Sequence, residues 1–220
     1  MPHIRRQLII YDLDGTLVDT REDITRAVNE TLRQLQHPPL PQEAIIRHVG
    51  LGVRHLLREC VAIDDPVVIE RAAKIYRAYY AEHLADHSRL CPSAAEALDG
   101  FANRRQAVLT NKPQDHSERL LDLLGISARF IAILGGEAGY PSKPDPAGLR
   151  ALLQRESLEP DAALLIGDSP VDIETGRRAG VFTAVVRNGF TPVEELRAAA
   201  PDALVDDLRG VVTYVRAQGW

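Results

Sequence analysis

The chain has 220 residues, 45% of them hydrophobic and 26% charged, and a formal net charge of -5. That suits one α/β domain, or a core domain with a modest insertion, long enough to bury its core without covalent staples. It argues against general nucleic-acid affinity, and two cysteines without metal-ligand spacing, Cys60 and Cys91, exclude a disulfide framework.

Arg5 and Arg6 precede the apolar run Leu8-Ile9-Ile10, which Tyr11-Asp12 breaks at once. The run is too short for a signal peptide or a membrane span, so a cytoplasmic protein without a membrane partner is expected. Gln7 to Tyr11 reads as a buried strand that ends in the loop Asp12-Leu13-Asp14-Gly15-Thr16. In an extended segment Asp12 and Asp14 start on one side. Two carboxylates this close repel, so they need a cation or a shared proton. One can attack phosphorus while the other moves a proton; a pair of turn aspartates is the plainer reading.

From about Thr16 to Leu90 the sequence shows no convincing strand. Asp19 is placed to cap a helix, with Glu22 as its capping-box partner, and Ile24, Ala27, Val28, Leu32 and Leu35 share one face. Pro38, Pro39 and Pro41 end that helix. Val68, Ala72, Ile75 and Tyr79 define a second helical face, and Pro92 marks the return to the core. The reading is therefore a helical insertion over residues 16–90, with a core formed by 1–15 and 91–220.

The core resumes with four apolar runs: Ala107–Thr110, Phe130–Leu134, Ala162–Ile166 and Phe182–Val186. Helical patterns at Ser117–Leu124, Asp145–Gln154 and Val171–Ala179 alternate with them. Strands and helices of these lengths predict a Rossmann-like, doubly wound α/β fold with a parallel sheet covered on both faces.

Three further clusters lie at predicted strand ends. At Thr110-Asn111-Lys112-Pro113, the Thr110 hydroxyl and the Asn111 amide are able to bind a phosphate oxygen; a plain turn reads the same way. Lys143, in the proline-flanked loop Ser142–Pro146, is a fixed charge for a phosphoryl group or a surface lysine. In Gly167-Asp168-Ser169-Pro170-Val171-Asp172, the two aspartates stand one helical turn apart and suit magnesium, or serve as an N-cap and a first-turn acid. Basic residues are overwhelmingly Arg, with only Lys74, Lys112 and Lys143 as lysines. A lysine kept in such a chain is a candidate for a required point charge, chance survival being the other reading.

These four clusters, in this order and spacing, resemble the haloacid dehalogenase superfamily of phosphohydrolases. The resemblance covers nearly the whole chain and is nearest to the phosphoglycolate-phosphatase-like branch, with an all-α cap after the first strand. It implies an Mg2+-dependent phosphatase acting on a small phosphorylated metabolite, 2-phosphoglycolate first, and a monomer or homodimer. Asp12 would be the nucleophile and Asp14 the general acid and base, its backbone carbonyl a metal ligand. Thr110, Asn111 and Lys143 would hold the phosphoryl group. Asp168 would complete the metal shell with Asp12, and Asp172 would support it directly or through water. Lys112 is not a core catalytic position there and reads as a surface or rim residue. A cap loop closes over the site in this family; here the candidate is Val49–Arg54, with Gly50 allowing close approach and Arg54 meeting a substrate carboxylate or standing solvated in a turn. Cys91-Pro92-Ser93 departs from the Pro-Gly that relatives often carry, which bears on hinge geometry. The metal-independent dehalogenases typically lack an acid equivalent to Asp14. A sugar-phosphate mutase is the alternative; relatives of that kind carry a His soon after the first motif, and the Asp19–Gln36 helix has none.

Overall fold

The computed structural model describes residues 6–220; the first five residues of the expected core segment, Arg5 among them, lie outside it. In chain order the elements are β1 (Leu8–Tyr11), β2 (Val18–Asp19), α1 (Arg21–Gln34), α2 (Gln42–Ile46), α3 (Val53–Val61), α4 (Pro66–Glu82), β3 (Arg89–Leu90), α5 (Ala94–Gly100) and β4 (Arg105–Pro113). There follow α6 (Gln114–Leu123), β5 (Ala132–Gly136), α7 (Ala147–Glu156), β6 (Ala163–Gly167), α8 (Pro170–Ala179), β7 (Phe182–Val186), α9 (Val193–Ala198), β8 (Ala203–Val205) and α10 (Leu208–Ala217).

Six strands form a parallel sheet in the order β5-β4-β1-β6-β7-β8. β1 is interior and its four residues have no exposed surface, which is why it reads as an unbroken apolar run. Ile9 and Tyr11 face one core, with α1, α3, α4, α5 and α10 contributing to it. Leu8 and Ile10 face the other, packed with Leu149, Leu152 and Leu153 of α7. Chain connections run from β1 through β4 to β5 on one side and cross back to β6 on the other. β1 and β6 therefore flank the switch point, where open α/β sheets bind their ligands.

Four corrections to the sequence reading bear on the site. A two-stranded antiparallel ribbon, Val18 opposite Leu90 and Asp19 opposite Arg89, joins the two ends of the stretch read as strand-free. Such short strands carry no pattern of their own; their partner is supplied by the fold. The capping box at α1 does not form: Asp19 is in β2 and its carboxylate accepts from Arg21. Thr20 is the N-cap, and its hydroxyl donates not to the helix but to Asp14, at 2.8 Å. In α4 the fully buried stripe is Ile69, Ala72, Ala73, Tyr76 and Tyr80, one residue round from the expected face. Finally, the sheet has a sixth strand, β8, at its edge.

Ser93 adopts φ 66, in the left-handed region, as the residue before α5. Glycine enters that region freely, whereas a Cβ is disfavoured there, so in Cys91-Pro92-Ser93 a serine occupies a position whose geometry suits glycine. The Ser93 hydroxyl donates to Asp207, across to the cap of α10.

Candidate active site

Parallel register brings the strand ends together. Tyr11 is level with Val108 of β4 and Ile166 of β6, and the Asp12 amide donates to Ile166 at 2.8 Å. The next residues of each chain segment, Asp12, Leu109 to Thr110 and Gly167 to Asp168, converge at one edge. Asp12, Asp168 and Asp172 are all buried and offer ligand oxygens within 4.8 Å of one another.

Glycines make this crowding possible. A Cβ on Gly15, which has φ +82, would lie 2.3 Å from Asp168 Oδ2. One on Gly167 would lie 2.3 Å from Asp172 Cγ, and one on Gly189 would lie 2.2 Å from Asp168 Cβ. The acids are held by donors on every side. Asp168 accepts from Thr16 Oγ1 at 2.9 Å and from the Phe190 amide at 2.7 Å. Asp172, in the first turn of α8, accepts from Ser169 Oγ and Lys143 Nζ, each at 2.6 Å. Asp12 accepts from the Leu13 amide at 2.7 Å and pairs with Lys143 Nζ at 2.9 Å.

Burial pushes the Asp12 carboxyl up to about 6, with Lys143 opposing the rise. Burial, then the charges of Asp12 and Asp172, pushes Asp168 up to about 8. For Lys143 burial pulls the ammonium down, but Asp12 and Asp172 outweigh it and hold it above its ordinary value. Three buried carboxylates against one ammonium leave surplus negative charge. An oxygen-ligated divalent cation fits that donor set.

Lys143 is fixed from behind. Its amide donates to Asn111 Oδ1 at 2.8 Å, and Asn111 Nδ2 donates to Lys143 O and to Gly50 O, each at 2.8 Å. The Asn111 side chain thus ties β4, the Lys143 loop and the Val49–Arg54 loop together, a role its residue type alone did not announce.

Asp14 stands apart from the trio. Its carboxylate accepts from Thr20 and pairs with Lys112 Nζ at 2.9 Å. Lys112 is the clearest correction. Its side chain is 2% exposed, and its ammonium also donates to the Tyr80 hydroxyl at 2.7 Å. β4 continues to Pro113, beyond the expected end at Thr110. The register with β5 shifts between Leu109 and Pro113, and through this irregular stretch Lys112 faces the same cavity as Thr110.

A cavity of about 50 Å3 lies between this edge and helices α1, α3 and α4. Asp12, Asp14, Thr110, Asn111, Lys112 and Asp168 line its polar side, with Gly50, Val53, Leu56, Tyr76 and Tyr80 opposite. One water needs roughly 10–15 Å3 by the same measure, so the space suits a ligand of a few atoms. His116, Phe190 and Thr191 also line it; Phe190 sits on the loop after β7, where a glycine following a strand was the available signal. Arg54 is not among the lining residues. Its guanidinium pairs with Glu70 and, at 2.9 Å, with Glu137, while Arg77 pairs with Glu137 at 2.5 Å.

The model of haloacid dehalogenase-like hydrolases matches residues 9–186. A phosphoglycolate phosphatase of Rhodospirillum rubrum is 38% identical over 205 residues, which are 87% of this chain and 85% of that protein. One from Aquifex aeolicus is 32% identical, over 89% of this chain and 90% of its own length. The crystal structure of a predicted phosphoglycolate phosphatase from Haemophilus somnus 129PT superposes with a TM-score of 0.89 at 28% identity, over 94% of this chain and 97% of that one. The chain belongs to the haloacid dehalogenase-like hydrolases, as a phosphatase of their phosphoglycolate-phosphatase-like branch.

Proposed function

We propose that the protein hydrolyses 2-phosphoglycolate with the help of Mg2+, through a phosphorylated Asp12. The observation that carries this reading is Asp12, buried among Asp168, Asp172 and Lys143 at the floor of a cavity sized for a small metabolite. Asp12 attacks phosphorus, and the ester P–O bond breaks as Asp14 gives its proton to the departing alkoxide. Asp14 then takes a proton from water, which attacks the same phosphorus. The bond to Asp12 breaks, releasing inorganic phosphate and restoring both carboxyl groups. Thr110, the Asn111 amide and Lys143 hold the phosphoryl oxygens.

Asp12, Asp168 and the Asp14 carbonyl would hold Mg2+. Both Asp172 oxygens are already engaged, by Lys143 and Ser169, which favours its acting through water. The cation supplies charge neutralisation at the transferring phosphoryl group. In this reading residues 16–90 form a cap over a core of 1–15 and 91–220, in a monomer or homodimer. Among the described residues no helix is long and apolar enough to cross a membrane, and both cysteines are free and buried; a cytoplasmic setting goes with this reading.

Phosphate release across a panel of phosphorylated metabolites, with Mg2+ or with chelator, tests the proposal. Strong Mg2+-dependent release from 2-phosphoglycolate is expected. Interconversion of sugar-phosphate isomers without net release would replace hydrolysis by mutase chemistry.

Two consequences concern the metal. Asp168 has a folded pKa raised far above that of the unfolded chain, so between about 4 and about 8 the folded state binds the extra proton. Stability of the metal-free protein therefore falls as pH rises through that window, and bound Mg2+ removes the cause. The Mg2+-induced rise in Tm should be at least about 3 °C larger near pH 8 than near pH 5.5. Comparing each pH with and without Mg2+ cancels titrations away from the metal, while Asp12, raised to about 6, adds to the difference in the same direction; equal shifts would defeat the assignment. Gly189→Ala should raise the half-saturating Mg2+ concentration about 10–100-fold, because the added Cβ displaces Asp168. Unchanged Mg2+ dependence would mean that this loop does not set the Asp168 position.

A further inference from the structure

The substrate reading leaves one group of residues without a task. On the cavity wall, beyond Asp14, stand Lys112, Tyr80 and His116. Lys112 is a buried ammonium in contact with the Tyr80 hydroxyl and 4.5 Å from its ring centroid. Tyr80 and His116 meet edge to face, with ring centroids 5.5 Å apart. The Tyr80 oxygen accepts from Lys112, so its own hydrogen is available to a ligand. His116 is 3% exposed, and its Nδ1 is buried without a hydrogen-bond partner among the described residues.

We infer that Lys112 and Tyr80, with His116 packed edge to face behind Tyr80, form a subsite for a carboxylate on the carbon that bears the phosphate ester, so that the substrate class is the phosphorylated α-hydroxy acids. Two groups meet on one side: the Lys112 ammonium, shared with Asp14, and the Tyr80 phenol, whose hydrogen is free. A carboxylate offers acceptors only and matches both; it also keeps Lys112 neutralised while Asp14 carries the proton for the leaving group, which a neutral alcohol does not. Position sets the chain length. The Asp14 carboxylate protonates the ester oxygen, and Lys112 Nζ lies 2.9 Å from that same carboxylate. A group that touches Lys112 is thus close to the ester oxygen, as an α-carboxylate is and one a methylene further on is not. On the other walls, Val53 and Leu56 offer no partner to the hydroxyls of a sugar. Arg54, the sequence candidate for this task, lies outside the cavity with its charge spent on Glu70 and Glu137.

The inference rests on the phosphatase reading above, and the test separates the two. kcat/KM is measured with Mg2+ for 2-phosphoglycolate, for 2-hydroxyethyl phosphate, which lacks the charge, and for 3-phosphooxypropionate, which adds a methylene. The wild type should prefer 2-phosphoglycolate over each by about 10²-fold or more, as sites with buried polar partners do. Lys112→Met also disturbs Asp14, so it lowers every rate; the loss for 2-phosphoglycolate should exceed that for 2-hydroxyethyl phosphate by about 10²-fold. Tyr80→Phe, which removes one hydroxyl and keeps the ring, should show the same bias at about tenfold. Equal losses on charged and neutral esters in both variants would overturn the subsite and make Lys112 a positioning residue for Asp14, with the phosphatase reading intact. A wild type that hydrolyses none of the three would overturn the substrate reading itself.

Discussion

Asp12→Asn is expected to lower kcat by about 10⁴-fold or more while leaving the folded structure in place, because a carboxamide does not form the covalent phosphoryl intermediate. The substitution is nearly isosteric. The Asn oxygen still accepts from the Leu13 amide, and Lys143 keeps Asp172 at 2.6 Å. One of three clustered carboxylates is also removed, so the mutual repulsion that raises Asp168 falls. In the absence of metal the variant should therefore melt at or above the wild-type temperature. Phosphate release under saturating 2-phosphoglycolate and a calorimetric scan in chelator check both halves. Turnover within about tenfold of wild type would rule out the covalent route; a large fall in Tm would mean that lost activity reports lost structure.

The sheet was legible because buried parallel strands are apolar throughout. Phe182–Val186 matches its expected bounds, and Ala163–Gly167 is displaced by one residue. What escaped was whatever depends on a distant partner. The Val18–Asp19 and Arg89–Leu90 ribbon exists because each strand finds the other across the insertion. β8 is three residues long at a sheet edge, too short for a pattern. The acids and Lys143 were legible because their spacing is local to single loops. Lys112 was misread because the end of β4 was set where its aliphatic run stops, although Asn111 and Lys112 continue the strand. Tyr76 and Tyr80 were hidden in a helical face read one position away. The Phe190 amide on Asp168 is a backbone contact, and side-chain chemistry does not announce one.

Closure of the helices over the site has its own chemistry. Asn111 holds the Gly50 carbonyl and the Lys143 loop with one carboxamide, so the position of α3 and the position of Lys143 are coupled. Glu137, on the loop after β5, receives Arg54 of α3 and Arg77 of α4 at the rim. These exposed pairs contribute little to stability and are screened by salt. The buried Asn111 contacts, by contrast, are insulated from it.

Lys143→Met should have the second large effect, and it should be felt twice. The Lys143 side chain is 2% exposed, and its ammonium lies between Asp12 at 2.9 Å and Asp172 at 2.6 Å. Removing it deletes a fixed charge on the transferring phosphoryl group, and kcat/KM should fall by about 10³-fold or more. Lys143 also opposes the rise of the Asp12 carboxyl, so without it Asp12 ionises at higher pH. The acid limb of the residual activity should therefore move upward. The folded state suffers as well: Asp12, Asp168 and Asp172 remain together with no cation among them. Stranding buried charge in this way costs about 3–5 kcal/mol, which corresponds to a Tm lower by about 10 °C in chelator near pH 8. The deficit should shrink toward about pH 5, where protonation of the stranded acids replaces the lost counter-charge, and it should shrink again on addition of Mg2+. Lys143→Arg restores charge but not shape, since a planar guanidinium does not fit a gap set for a single nitrogen, and should recover stability more than rate. A Met variant with near-normal kcat/KM and an unchanged Tm in chelator would show that Lys143 is neither the phosphoryl anchor nor the counter-ion of the acid cluster.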